Sequence, residues 1–252
     1  MEHREFVVLV VGASSGIGNA CATYLAKKGF KTYGSCRDAA RYERKADEFF
    51  EPVQLDPADA SSVAKAAECI IGKEGHVDSV VCCVDLCPEA KGGERSIDEA
   101  RLWMEASYFG TLRIIDAFRA AMSGSAAASV ALIYPLSARL GLPPFKSISA
   151  TACSLEALSE SADRADRETP AIYALEYAAR KGDSGGQETA LAVAKAVYSL
   201  LGGRIGPRKR IVAPLPLRLL AFGKRILPRG AFMMLARIYS MSSKVKSDHV
   251  DQ

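Results

Sequence analysis

Residues 6–18 read Phe-Val-Val-Leu-Val-Val-Gly-Ala-Ser-Ser-Gly-Ile-Gly, and this stretch decides the fold. Residues 6–11 form a continuous apolar, β-branched run without polar alternation, which is the pattern of a strand buried on both faces of a parallel sheet. Helical spacing then takes over across 16–28 and stops at Gly29, just past the helix end. A buried strand, a glycine turn and a helix therefore follow one another directly. Working outward, strands are expected at 31–36, 52–55, 79–83, 130–134, 171–176 and 210–213. Helices are expected at 39–50, 61–73, 97–122, 149–161 and 187–201, with two short apolar-basic helices over 215–241 divided at Pro228. This βαβα rhythm predicts an α/β protein: a Rossmann-type, doubly wound parallel sheet of about seven strands with helices on both faces. There is no internal repeat and no long linker, so residues 1–252 are expected to form one domain. Residues 204–252 form a basic-apolar carboxyl extension to it.

Composition narrows the classes. The chain has 252 residues, 49% of them apolar and 25% charged, which excludes disorder and fibrous repeats. No stretch of about 18 uncharged apolar residues occurs, so no bilayer-spanning helix is expected. The amino terminus has no signal-peptide pattern. Seven cysteines, an odd number without framework spacing, suit a reducing, cytoplasmic setting. The three histidines, His3, His76 and His249, lie far apart, which argues against a His-based metal site or a Ser-His-Asp hydrolase. No metal-ligating residues are assigned. The net charge of +4 conceals an asymmetry: residues 1–188 carry 21 basic and 27 acidic side chains, whereas 189–247 carry 12 basic and none acidic.

The glycines of the first turn have distinct physical uses. Gly12 permits a sharp turn, Gly16 lets backbone approach a phosphate, and Gly18 allows close helix–strand packing. With Ser14, Ser15 and Ile17 they form a candidate pyrophosphate cradle at the positive end of the helix, although a tight turn without a ligand would use the same residues.

The spacing Gly12-x-x-x-Gly16-Ile17-Gly18 resembles the short-chain dehydrogenase/reductase family, and the likeness covers nearly the whole chain. Val53-Gln54-Leu55-Asp56 looks like the family's third strand, which implies that Asp56 contacts an adenine. Phe109-Gly110-Thr111 and Ala117-Phe118 are similar to its long interface helix, so a homodimer is implied. Gly141-Leu142-Pro143 and Leu155-Glu156-Ala157-Leu158 resemble segments flanking its active site, particularly in 17β-hydroxysteroid and retinol dehydrogenase-like members. The activity implied is oxidation or reduction of a carbonyl/alcohol pair on a lipophilic small molecule with a dinucleotide. NAD-preferring members place an acid at the end of the second strand. Here Cys36 is followed by Arg37, whose guanidinium could pair with a 2′-phosphate, so NADP(H) is the expected cofactor. Arg37 could equally be an ordinary solvated arginine.

The chemistry of that family needs an Asn, a Ser, a Tyr and a Lys. Ungapped alignment on the flanking segments places Ser107, Pro135, Ile148 and Ala152 at those four positions. Sliding the register to use Ser137 puts Ala150 at the Tyr position. No tyrosine occurs between Tyr134 and Tyr173 in any register. The motif Asn-Asn-Ala-Gly after the fourth strand is here Cys82-Cys83-Val84-Asp85, and Val11 replaces a Thr. No catalytic residue is therefore assigned. Expected instead is an NADP(H)-binding protein without the usual tetrad. One alternative is an active oxidoreductase with a relocated proton donor among Tyr134, Tyr177 and Lys181. Tyr24–Lys28 and Tyr177–Lys181 both fit Tyr-x-x-x-Lys, but composition alone gives about half such a match per chain. A thiol site at Cys82, Cys83 and Cys87 competes with plain burial of the first two.

The carboxyl end interleaves Leu, Ile, Phe and Met with Arg218, Lys224, Arg225, Arg229 and Arg237. Two readings stand open: helices that cap a substrate pocket, or helices that lie on an anionic membrane surface. A membrane-surface scaffold with a vestigial nucleotide site follows from the second. Nucleic acid is not expected as a partner, because no stacking aromatics punctuate the cations.

Overall fold

A computed structural model describes residues 5–14, 16–40, 42, 49–83, 96–123, 125, 128–136, 138, 146–162, 170–178, 186–202 and 209–213, together with 218, 219, 222, 223, 226–228, 230–232 and 234. The strands are β1 (Val7–Val11), β2 (Lys31–Cys36), β3 (Glu51–Gln54), β4 (Ser79–Cys83), β5 (Ser129–Pro135), β6 (Ala171–Tyr177) and β7 (Lys209–Val212). The helices are α1 (Gly16–Lys27), α2 (Ala60–Glu74), α3 (Ile97–Met104), α4 (Gly110–Met122), α5 (Lys146–Ala162) and α6 (Gln187–Leu201). All strand pairs are parallel, in the order β3-β2-β1-β4-β5-β6-β7. Strands β1 to β6 make the body of the sheet, and the four-residue β7 continues it at the β6 edge.

The unbroken apolar runs are explained by helices on both sides. Val8, Val10, Val81, Ala131, Ile133 and Leu175 face α1 and α6, where they meet Leu25, Val193 and Val197. Val7, Leu9, Val80, Val130, Leu132 and Tyr134 face α2, α4 and α5, where they meet Ile70, Ile114, Phe118, Ile148 and Leu155. Every residue of β1, β4 and β5 is buried. At the amino edge, buried Asp78 is consumed structurally: Val7 N–H donates to its Oδ2 at 2.8 Å and the Ser125 hydroxyl to its Oδ1 at 2.7 Å.

Two expected elements differ. Residues 39, 40, 42, 49 and 50 are not helical, against the helix expected over 39–50; residues 41 and 43–48 lie outside the described set. Phe50 serves as a plug instead. Its ring packs where a Cβ on Gly34 would stand 2.4 Å away, and Tyr42 tilts against it at 6.0 Å between centroids. The long helix expected over 97–122 is two α-helices joined by a π-helical turn at Glu105–Phe109. Gly110, next to this turn, lies so close to Pro57 that a Cβ would come within 2.6 Å of it. Arg113 ties the same place down by donating to the Pro57 carbonyl at 3.2 Å and to the Glu105 carboxylate.

Candidate functional site

Because every strand is parallel, all carboxyl ends meet at one edge. The strand order reverses between β1 and β4, and α/β ligands bind in the crevice at such a switch point. Gly12 stands there at φ +84°, and a Cβ on it would lie 2.7 Å from the Cys83 carbonyl oxygen at the end of β4. Both the backbone angle and the close approach require glycine. Its N–H donates to Ser35 Oγ at 3.0 Å, and the next N–H, of Ala13, donates to the Ser35 carbonyl at 2.9 Å, so the turn is strapped to β2. Ser14 and Gly16 are exposed, Ile17 is half-buried and Gly18 is buried. A Cβ on Gly16 would meet nothing within 4 Å, and the first turn of α1 carries no acid. Among the described residues, open space thus lies over a positive helix end with no acid in its first turn, an arrangement that fits a diphosphate. Ser15 lies outside the described residues.

Arg37 is exposed immediately beyond β2, with exposed Asp38 next in the chain. Asp56 is half-buried two residues beyond β3; its Oδ1 accepts the Ala58 N–H at 3.0 Å and its own N–H donates to Ser62 Oγ at 3.0 Å. Leu55 N–H reaches the Cys36 carbonyl at 3.0 Å, which continues the β2–β3 pairing past both strands. The glycine turn, Arg37 and Asp56 therefore sit on three adjacent strand ends. The fold brings together every described member of the expected cofactor set.

The other half of the edge is different. Helix α5 reads Lys-Ser-Ile-Ser-Ala-Thr-Ala-Cys-Ser-Leu-Glu-Ala-Leu-Ser-Glu-Ser-Ala and contains no tyrosine. Ile148, Ala152 and Leu155 are buried against Tyr134 and Ala138. Pro135 is buried at the end of β5, and Ser107 is buried on the π turn, which packs against α5. Gly141-Leu142-Pro143 and Ser137 lie outside the described residues, as do Val84, Asp85 and Cys87.

The relocated-donor candidates separate. Tyr24 and Lys28 sit near the end of α1, at the amino edge, where the ammonium lies 5.5 Å from the Tyr24 ring centroid and 5.8 Å from that of Tyr198. They make a packing pair remote from the crevice. Tyr177 ends β6 but packs with the α1–α6 side, across the sheet from α5; Lys181 lies outside the described residues. Tyr134 packs on the α5 side and is fully buried. Its register partner on β6 is Glu176, also fully buried. Side chains of register partners in parallel strands share a face, so a carboxyl and a phenol are neighbours beneath α5. Glu176 was not singled out in the sequence; its signal was one acid inside the strand Ala-Ile-Tyr-Ala-Leu-Glu-Tyr.

Burial pushes the Cys82 thiol up to about 12, against a weaker lowering by its bond with Thr111. Among the described residues no group of three His, Cys, Asp or Glu could hold a metal, and no helix is long and apolar enough to cross a membrane.

Comparison with known proteins accords with this geometry. The short chain dehydrogenase family model matches residues 6–169. The chain belongs to the short-chain dehydrogenase family. Human 17-beta-hydroxysteroid dehydrogenase type 1 is 33% identical over 170 residues, covering 62% of this chain and 50% of that protein. A 3-ketodihydrosphingosine reductase of Bacteroides thetaiotaomicron is 25% identical over 158 residues, covering 62% of this chain and 56% of the other. The chain spans about half the length of the curated relatives it matches. Among solved structures, a short-chain dehydrogenase from Streptomyces avermitilis superposes with TM-score 0.71 at 21% identity, covering 95% of this chain and 99% of that one. A short chain dehydrogenase from Burkholderia cenocepacia in complex with NADP gives TM-score 0.71 at 20% identity, covering 93% and 99%. At these identities the structural likeness speaks to the fold.

Proposed function

We propose that this short-chain dehydrogenase family member binds NADP(H) through Gly12, Ser14, Ser15, Gly16, Ile17, Gly18, Arg37 and Asp56 but lacks the family's proton-transfer tetrad. The observation that carries this reading is the buried hydrocarbon of α5, with Ile148 and Ala152 where a phenol and an ammonium would be needed. NADP(H) supplies the hydride when bound; the glycine turn holds its diphosphate, and Arg37 faces a 2′-phosphate. A buried alkyl group can neither donate nor accept the accompanying proton, so turnover by the usual route is absent. The chain acts as a non-catalytic or impaired member, folded as one domain with residues 204–252 as its extension. A lipophilic molecule is the ligand class, supported by relatives whose names specify a hydroxysteroid and a ketodihydrosphingosine. A homodimer is supported by exposed Ile97, Leu102 and Phe109 on α3 and the π turn.

Titrating the protein into NADPH and following nicotinamide fluorescence tests the cofactor reading. Saturable enhancement is expected, and none at millimolar cofactor would overturn it. One observation favours a second reading, an oxidoreductase with a relocated donor: the Tyr134–Glu176 pair beneath α5. That reading predicts carbonyl-dependent NADPH oxidation that Tyr134→Phe abolishes while cofactor binding is retained.

A further inference from the structure

The carboxyl extension presents apolar side chains outward. Arg218, Leu219, Phe222, Gly223 and Ile226 are all helical, and Leu227 N–H donates to the Gly223 carbonyl at 2.8 Å, one helical turn back. At 3.6 residues per turn, positions 219, 222 and 226 fall on one narrow face. Leu219, Phe222 and Ile226 leave 62, 62 and 65% of their surface in solvent. A second turn follows Pro228, where Phe232 N–H donates to the Pro228 carbonyl at 3.0 Å. Here Phe232 is buried and anchors the segment, whereas Met234 points outward at 66% exposure. This apolar face is turned to solvent.

We propose that the face formed by Leu219, Phe222 and Ile226, together with the exposed Met234 of the following turn, seats the protein on an anionic lipid surface. Charge selects this occupant. Residues 189–247 hold 12 basic and no acidic side chains, although the whole chain carries only +4. Exposed Arg218 adjoins the apolar face. An apolar stripe in a segment this rich in cations matches the acyl boundary and the headgroups of such a leaflet. A second copy of this chain would bring its own cations against the first and is disfavoured at the same patch. The inference is independent of the nucleotide site, which lies at the carboxyl ends of β1, β2 and β3.

Flotation of the full chain with vesicles tests it. Phosphatidylcholine vesicles containing about one third phosphatidylserine should carry the protein upward, pure phosphatidylcholine vesicles should not, and salt should release it. The triple change Leu219→Ser, Phe222→Ser, Ile226→Ser should lower partitioning at least about 10-fold, since each apolar side chain removed weakens insertion. Arg218→Gln should lower it about 5-fold, the equivalent of one basic contact. The melting temperature and NADPH titration of the triple variant should match the parent, because these side chains are already in solvent. Equal flotation of parent and triple variant overturns the proposal. So does failure of the parent to float with phosphatidylserine, or loss of self-association as the only effect of the triple variant.

Discussion

The two halves of the carboxyl edge obey different rules. At the ends of β1, β2 and β3 the features are set by backbone: Gly12 at φ +84° against the Cys83 carbonyl, and an open approach above Gly16. At the ends of β5 and β6, beneath α5, the surroundings are side chains: Ile148, Ala152, Leu155 and Tyr134 pack without solvent, and buried Glu176 stands beside Tyr134. Holding a diphosphate relies on N–H groups and a helix dipole, which survive most side-chain changes. Moving a proton relies on specific titratable groups at fixed positions, which do not. One sheet edge can therefore keep the first capacity and lose the second without loss of fold.

Substitutions can break or sharpen this contrast, and the largest effect is expected in the hydrocarbon half. Ala152→Lys would put an ammonium at a fully buried position and should cost about 4 kcal/mol in denaturant unfolding. A tolerated lysine would show that the buried Glu176 carboxyl can pair with it and that there is room beneath α5, and would erase the distinction between the halves. In the backbone half, Gly12→Ala forces a Cβ against the Cys83 oxygen at a left-handed φ. It should cost about 2–3 kcal/mol and abolish NADPH fluorescence enhancement. Next comes Arg37→Ala, which removes a charge-assisted contact and should weaken NADPH about 10- to 100-fold while changing NADH little. Equal losses for both cofactors would place Arg37 away from the 2′-phosphate.

The smallest effect concerns the amino edge of the β2–β3 pair, opposite the end that carries Arg37 and Asp56. Lys31 Nζ lies 2.5 Å from Glu51 Oε1, and this bond holds the Glu51 carboxyl below its usual range. A lowered folded value means that the pair stabilises at neutral pH, and that this contribution fades as pH falls through that value. With side chains 30 and 41% exposed, Glu51→Gln should cost no more than about 1 kcal/mol at pH 7. The gap from the parent should close in acid, and urea melts at the two pH values would read it directly.

What the sequence disclosed follows the same division. The strand at residues 6–11 and the glycine turn were legible because burial on both faces and positive φ leave few residue choices. The absence of tyrosine from α5 was legible too, since it holds in every register. The π turn at Glu105–Phe109 was not, because helical spacing continues through it, and the Pro57 that packs against the adjoining Gly110 lies far along the chain. Phe50 read as part of a helix, yet its place is set by the bare Gly34 on a neighbouring strand. Glu176 passed unnoticed because only pairing with β5 puts it beside Tyr134. Local chemistry showed where backbone dictates; contacts distant in sequence hid the rest.

The most direct test follows NADPH absorbance at 340 nm, with the protein saturated by cofactor and offered a panel of steroid, retinoid and aliphatic aldehydes and ketones. No oxidation above the protein-free rate is predicted for any of them. Steady carbonyl-dependent oxidation would contradict the proposed loss of proton transfer beneath α5.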